Sequence, residues 1–212
     1  MKRIVILISG RGSNMLSILD ANLPVEVAAV ISNRMDAPGL ASARARGIKT
    51  CAIDHRDYAT REAFDAALAE KIDEFSPDYV ILAGFMRILG NDFVRRYAGR
   101  LLNIHPSLLP AFPGTATHKR ALEEGVKIHG CTVHFVTEKL DHGAIVIQAA
   151  VPVLETDTEE TLATRVLKQE HRIYPEAIRW LVAGKLKIED NRVCIGIPGM
   201  PKGTLISPEI PC

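Results

Sequence analysis

Residues 4–32 read IVILISGRGSNMLSILDANLPVEVAAVIS. The stretch opens on an unbroken aliphatic run, Ile4 to Ile8, as expected for a strand buried on both faces. A short loop with two glycines, SGRGSN (9–14), leads into a helical stretch from Asn14 to about Asn22, and VEVAAVIS (25–32) is a second strand. Parallel neighbours need a crossover connection, and this is the unit that supplies one.

The alternation continues. Residues 37–46 are rich in Ala and Arg and predict a helix closed by Gly47, and KTCAI (49–53) is a short third strand. From Thr60 to Phe75 the apolar positions 63, 64, 67, 68 and 72 mark one helix face, with Thr60 as N-cap and Glu62 in the first turn. DYVILAG (78–84) is a fourth buried strand, 91–98 is helical, and RLLNI (100–104) is a fifth strand. The expected class is α/β: a Rossmann-like, mostly parallel twisted sheet with helices on both faces. The second half changes character. CTVHFV (131–136) alternates like a strand with one more exposed face, and AIVIQAAVPV (144–153) is another strand. Residues 159–181 form a long amphipathic helix, followed by two strand-like pieces, KLKI and RVCIGI, and a tail rich in Pro and Gly.

The 212 residues suit one α/β domain and are tight for two; no internal repeat or low-complexity linker divides them. Hydrophobic residues make up 47 %, enough for a sizeable core. A net charge of +1 gives no support to a nucleic-acid partner. Cys51, Cys131, Cys194 and Cys212 include no C-x-x-C pair, as expected of reduced thiols in a cytoplasmic protein. The apolar run after MKR stops at Ser9, too short for a signal peptide, and no stretch nears the roughly 18 residues of a membrane span.

Three places carry chemistry. The loop 9–14 follows the first strand, where an open parallel sheet binds ligands, and a helix N-terminus there favours an anion. The dinucleotide fingerprint fails, because its third glycine would fall at Met15, and so does the Walker pattern. What remains is either a loop for one phosphate through Gly12, Ser13 and Asn14 or a plain tight turn. Asn103 and His105 stand two apart in LLNIHPSLLP, so their side chains share one face of the strand end. An imidazole can act as acid or base and an amide N–H can stabilise an oxyanion; a buried His bonded to a carbonyl is the alternative. Asp141, in the loop LDHG, is a turn residue unless that loop folds over His105, where a carboxylate favours imidazolium. His142 reads as an exposed loop residue, and His118 and His134 have no assigned role. Ser107 lacks the setting of a nucleophile elbow. No group of His, Cys and carboxylates has metal-ligand spacing, so no metal is expected.

Together ISGRGSN, LAGFMRIL, LLNIHPSLLP, HGCTVHFV, LDHG and QEHRIYP resemble, in content and order, the phosphoribosylglycinamide formyltransferase family, over about residues 3–188. The resemblance implies a single domain over 1–212, with 1–100 as phosphate-binding half, 101–190 as catalytic and folate half and 191–212 as tail. It implies that Asn103, His105 and Asp141 are the catalytic trio, that Gly12, Ser13 and Asn14 hold the substrate phosphate, and that Glu170 lies near the substrate glycinamide. It assigns the folate pocket to Met86, Arg87, Ile88 and Leu89, to the flexible loop of Glu138, Lys139, Leu140, Asp141, His142 and Gly143, and to Arg61. The implied substrates are glycinamide ribonucleotide and 10-formyltetrahydrofolate, in a cytoplasmic monomer or homodimer without nucleic acid, membrane or metal. Two departures stand out: Ala144 replaces a proline common in the family, and Ala116 a histidine. Rival readings are a formyltetrahydrofolate deformylase, which normally carries an extra N-terminal domain, a methionyl-tRNA formyltransferase, which normally runs longer, a dehydrogenase and a non-catalytic folate-binding module.

Overall fold

The computed structural model describes residues 1–196 and Ser207. The first half alternates as expected: β1 (Lys2–Ile8), α1 (Ser13–Asp20), β2 (Val25–Ser32), α2 (Pro38–Ala45), β3 (Thr50–Ala52), α3 (Arg61–Asp73), β4 (Tyr79–Leu82), α4 (Asn91–Arg96) and β5 (Leu101–His105). The second half adds α5 (Thr117–Glu123), β6 (Ile128–Phe135), β7 (Ile145–Pro152), α6 (Glu159–Val182), β8 (Leu186–Glu189) and β9 (Arg192–Ile195). One sheet of seven strands runs in the order β3-β2-β1-β4-β5-β6-β7. It is parallel through β5, and β6 and β7 add antiparallel.

The run in β1 is uninterrupted because both faces are covered. Ile4, Ile6 and Ile8 enter one core with Met15 and Ile18 of α1 and Tyr174 and Ile178 of α6. Val5 and Leu7 enter the other, with Phe64, Leu68 and Ile72 of α3 and Tyr97 just after α4. Thr60 caps α3 as its sequence predicts, its hydroxyl accepting from the Ala63 N–H at 3.1 Å. Tyr174 ties α6 to the sheet by donating to the carbonyls of Leu82 (2.8 Å) and Leu102 (3.1 Å).

One expectation is corrected. β6 has no exposed face: every residue after Ile128 is buried. Its Thr132 bonds the segment after β5, and α6 packs against the strand. The sequence reading also passes over α5. That helix is short and starts after Ala116, whose left-handed backbone (φ 53°) gives no side-chain cap. The pieces KLKI and RVCIGI pair with each other as β8 and β9, apart from the main sheet. The Pro- and Gly-rich tail beyond residue 196, Cys212 included, lies outside the described residues, Ser207 aside.

From β1 the strand order runs one way to β2 and β3 and the other way to β4 and β5. The carboxyl ends of β1 and β4 therefore open at a switch point, where flanking connections diverge and leave a crevice.

Candidate active site

At the switch point a cleft of about 540 Å³ is lined by residues 9–14 and by Met86 and Arg87, among others. It brings the predicted phosphate loop together with the start of the predicted folate segment. Gly12 has left-handed backbone (φ 73°), and a Cβ there would lie 3.1 Å from Met15 Cε and 3.3 Å from Gly39 Cα. Glycine is required for both reasons. The turn delivers Ser13 as the first residue of α1, so unpaired N–H groups face the cleft beside the positive end of the helix dipole.

Asn14 and Glu170, both expected to touch substrate, touch each other. Asn14 Nδ2 donates to Glu170 Oε2 at 2.6 Å, and both side chains are buried. Burial pushes the Glu170 carboxyl above its ordinary range, and the Asn14 hydrogen bond holds it back. Asn14 Oδ1 is buried and has no partner among the described residues.

The second centre lies at the end of β5. β4 and β5 pair Leu82 with Asn103, and β5 and β6 pair Asn103 with His134 and His105 with Thr132. Paired residues share a face, so Asn103, His105 and His134 converge. His105 Nε2 lies 3.0 Å from the Phe112 carbonyl. A carbonyl only accepts, so Nε2 carries a proton there. Nδ1 faces Asp141 Oδ2 at 3.6 Å. The loop after β6 thus folds back over His105, with Asp141 in left-handed backbone (φ 50°) and its Oδ2 accepting the Gly114 N–H at 2.7 Å.

His134 is the residue that sequence reasoning missed. Its Nδ1 donates to the Phe135 carbonyl at 2.9 Å. Burial pushes its pKa down, so the ring is neutral and Nε2 is an acceptor. Asn103 Nδ2 donates to that nitrogen at 3.2 Å. One amide N–H of Asn103 is thereby fixed, and the other has no partner among the described residues and is free for a ligand. Asp141 Oδ1 stands 4.0 Å from the same His134 nitrogen. Only the pairing of β6 beside β5 reveals this, and one sequence does not carry it.

Other expectations fall as follows. The Ser107 hydroxyl is buried and donates to the Ala111 carbonyl at 2.6 Å, as suits a structural serine. His142 is exposed. His118 packs edge-on against His129, ring centroids 5.3 Å apart. Burial pushes His129 down to about 4. Glu138 ties its loop to Arg95 of α4 at 2.9 and 3.0 Å. Gly143 closes the loop where a Cβ would fall 1.8 Å from the Phe135 carbonyl oxygen. Met86, Ile88 and Leu140 are more than half exposed apolar side chains, Lys139 extends from the same loop, and Leu89 packs inward. Arg87 lies over the Phe64 ring at 5.8 Å, while Arg61 is exposed and bonds Glu62. The trio does not line the cleft at the phosphate loop. Among the described residues no three His, Cys, Asp or Glu side chains are placed to hold a metal, and no helix is long and apolar enough to cross a membrane.

Residues 2–178 match the family model described as formyl transferase. The chain is 52 % identical to the phosphoribosylglycinamide formyltransferase of Escherichia coli K12 over 89 % of this chain and 91 % of that one. It is 47 % identical to the trifunctional purine biosynthetic protein adenosine-3 of Bos taurus, covering 91 % of this chain but 20 % of that longer protein. Among solved structures, glycinamide ribonucleotide transformylase 1 of Symbiobacterium toebii superposes with a TM-score of 0.90 at 53 % identity, over 92 % of this chain and 94 % of that one.

Proposed function

The chain belongs to the phosphoribosylglycinamide formyltransferases, enzymes of formyl transfer in purine biosynthesis, and from that membership we propose that it moves the formyl group of 10-formyltetrahydrofolate onto the amine of glycinamide ribonucleotide, with Asn103, His105 and Asp141 at the reacting centre. The observation that supports this reading most is the convergence of those three side chains at the end of β5, with His105 Nδ1 3.6 Å from Asp141 and the Asn103 amide held by His134.

The substrate amine, neutral when it reacts, attacks the formyl carbon and gives a tetrahedral intermediate with negative charge on oxygen. The free N–H of Asn103 donates to that oxygen. His105 already uses Nε2–H on the Phe112 carbonyl, so it can donate a second time only through Nδ1, and a ring protonated on both nitrogens is a cation. Asp141 supplies the opposite charge. Its Oδ2 stands 3.6 Å from Nδ1, and a water bonded to the carboxylate from the substrate side carries the amine proton toward the departing folate nitrogen. The phosphate on Gly12, Ser13 and Asn14 converts binding energy into positioning, with Glu170 beside the substrate. Residues 86–89 and 138–143, with Arg61, form the folate side. The reading includes a cytoplasmic enzyme that works on small molecules.

The test is formyl transfer to glycinamide ribonucleotide, followed as loss of formyl-folate with and without the amine. Loss that needs the amine is expected. Amine-independent loss would mark a deformylase, and no loss despite binding of both ligands would mark a non-catalytic module.

A further inference from the structure

The Met86–Leu89 segment is held at both ends by side chains from distant elements. At its start the Met86 N–H donates to Ser9 Oγ at 2.7 Å, and that hydroxyl donates to Asn33 Oδ1 at 2.6 Å. At its close the Gly90 N–H donates to Asp65 Oδ2 at 2.6 Å. Asp65 lies on α3 among Phe64, Leu68, Ala69 and Ile72 and is only 5 % exposed. A carboxylate there packs no better than the apolar side chains around it and is costly to desolvate. What it adds is an acceptor for Gly90. The fit is close: a Cβ on Gly90 would lie 3.0 Å from that same oxygen, although the Gly90 backbone (φ −73°) is open to any residue. The second oxygen, Oδ1, is buried and has no partner among the described residues. Burial pushes the Asp65 carboxyl up; the Gly90 N–H, then the charges of Arg61 and Arg87, hold it down.

We infer that Asp65 is a positioning residue for the folate co-substrate: it fixes the end of the Met86–Leu89 segment, so that this wall is set before the ligand arrives. The inference rests on the proposed assignment of that segment to the folate pocket. Ser9 is the opposite clamp, but it opens the phosphate loop 9–14 and lines its cleft, so its loss disturbs both substrates. Asp65 reaches the folate side alone.

Steady-state kinetics separate the two. Asp65→Ala is expected to raise the KM for 10-formyltetrahydrofolate at least about fivefold, the loss of one hydrogen bond to a charged acceptor. kcat and the KM for glycinamide ribonucleotide should stay within about twofold. Asp65→Asn, which keeps an acceptor, should restore the folate KM, and Ser9→Ala should raise both KM values. An unchanged folate KM in folded Asp65→Ala, or equal rises for both substrates, would overturn the inference. If Asp65→Ala does not fold, Gly90→Ala crowds the same contact from the other side; a folate-selective defect supports the inference and its absence overturns it. Hydrogen exchange of the wild-type protein with tetrahydrofolate keeps the premise separate. Protection at residues 86–89 supports the pocket, and its absence removes the pocket assignment together with the inference.

Discussion

Replacing Glu170 by glutamine is expected to stabilise the fold and weaken the site, and both effects follow from one buried carboxylate. Glu170 is 7 % exposed and, among the described residues, takes one side-chain hydrogen bond, from Asn14 at 2.6 Å. Burial raises its folded-state pKa above the ordinary value of 4.5 at which the unfolded chain ionises it. Below that ordinary value both states are protonated and the stability is fully present. It is lost as pH rises through the raised folded value, where the folded protein must ionise a buried group. Glutamine keeps the length and the acceptor for Asn14 and avoids that loss. A buried ion costs several kcal/mol after relaxation. A hydrogen bond to a charged acceptor offsets about 1.5–3 kcal/mol of it. The difference favours Glu170→Gln by about 1–3 kcal/mol at about pH 8, a Tm rise of about 3–9 °C for a chain of this length. Thermal melts across pH should show the gain shrinking to nothing below the ordinary glutamate range, and kinetics should show a higher KM for glycinamide ribonucleotide. A variant no more stable than the parent in mild base, or an equal gain at acid and basic pH, would refute the presence of a buried charge at this position.

Gly12→Val forces a β-branched residue into left-handed backbone, with its Cβ 3.1 Å from Met15 Cε. It is expected to raise the KM for glycinamide ribonucleotide at least about tenfold more than that for the folate; equal rises in a folded protein would remove the phosphate assignment. His134→Ala releases the Asn103 amide and is expected to lower kcat about tenfold with both KM values nearly unchanged; an unaltered kcat would show that Asn103 does not need His134.

The sheet was legible because its signals are local. β2 was read to its exact bounds and β1 and β4 to within a few residues, since strands covered on both faces are continuous apolar runs between glycines and polar loops. Thr60 announced the start of α3 in the same way. That Asn103 and His105 share a face followed from a period of two. What escaped depends on pairs far apart in the chain. Asn14 meets Glu170 across 156 residues, and nothing beside either residue says so. His134 acquires its place only when β6 lies antiparallel to β5 with Asn103 opposite it. α5 escaped because its start uses a left-handed alanine in place of a capping side chain. The alternation in CTVHFV suggested a wet face; its threonine and histidine are polar because they bond the segments around them, not because water reaches them.

The most direct test of the account is a double-mutant cycle on turnover with His105→Ala, Asp141→Asn and both together. His105→Ala removes an oxyanion donor, and Asp141→Asn keeps the loop residue's size but removes the charge 3.6 Å from Nδ1. Each single change is expected to lower kcat by at least about a hundredfold with little effect on the KM for glycinamide ribonucleotide. The double variant is expected to lose far less than the product of the two, because the pair acts as one unit. Fully multiplicative losses, or near-normal turnover in His105→Ala, would contradict the account.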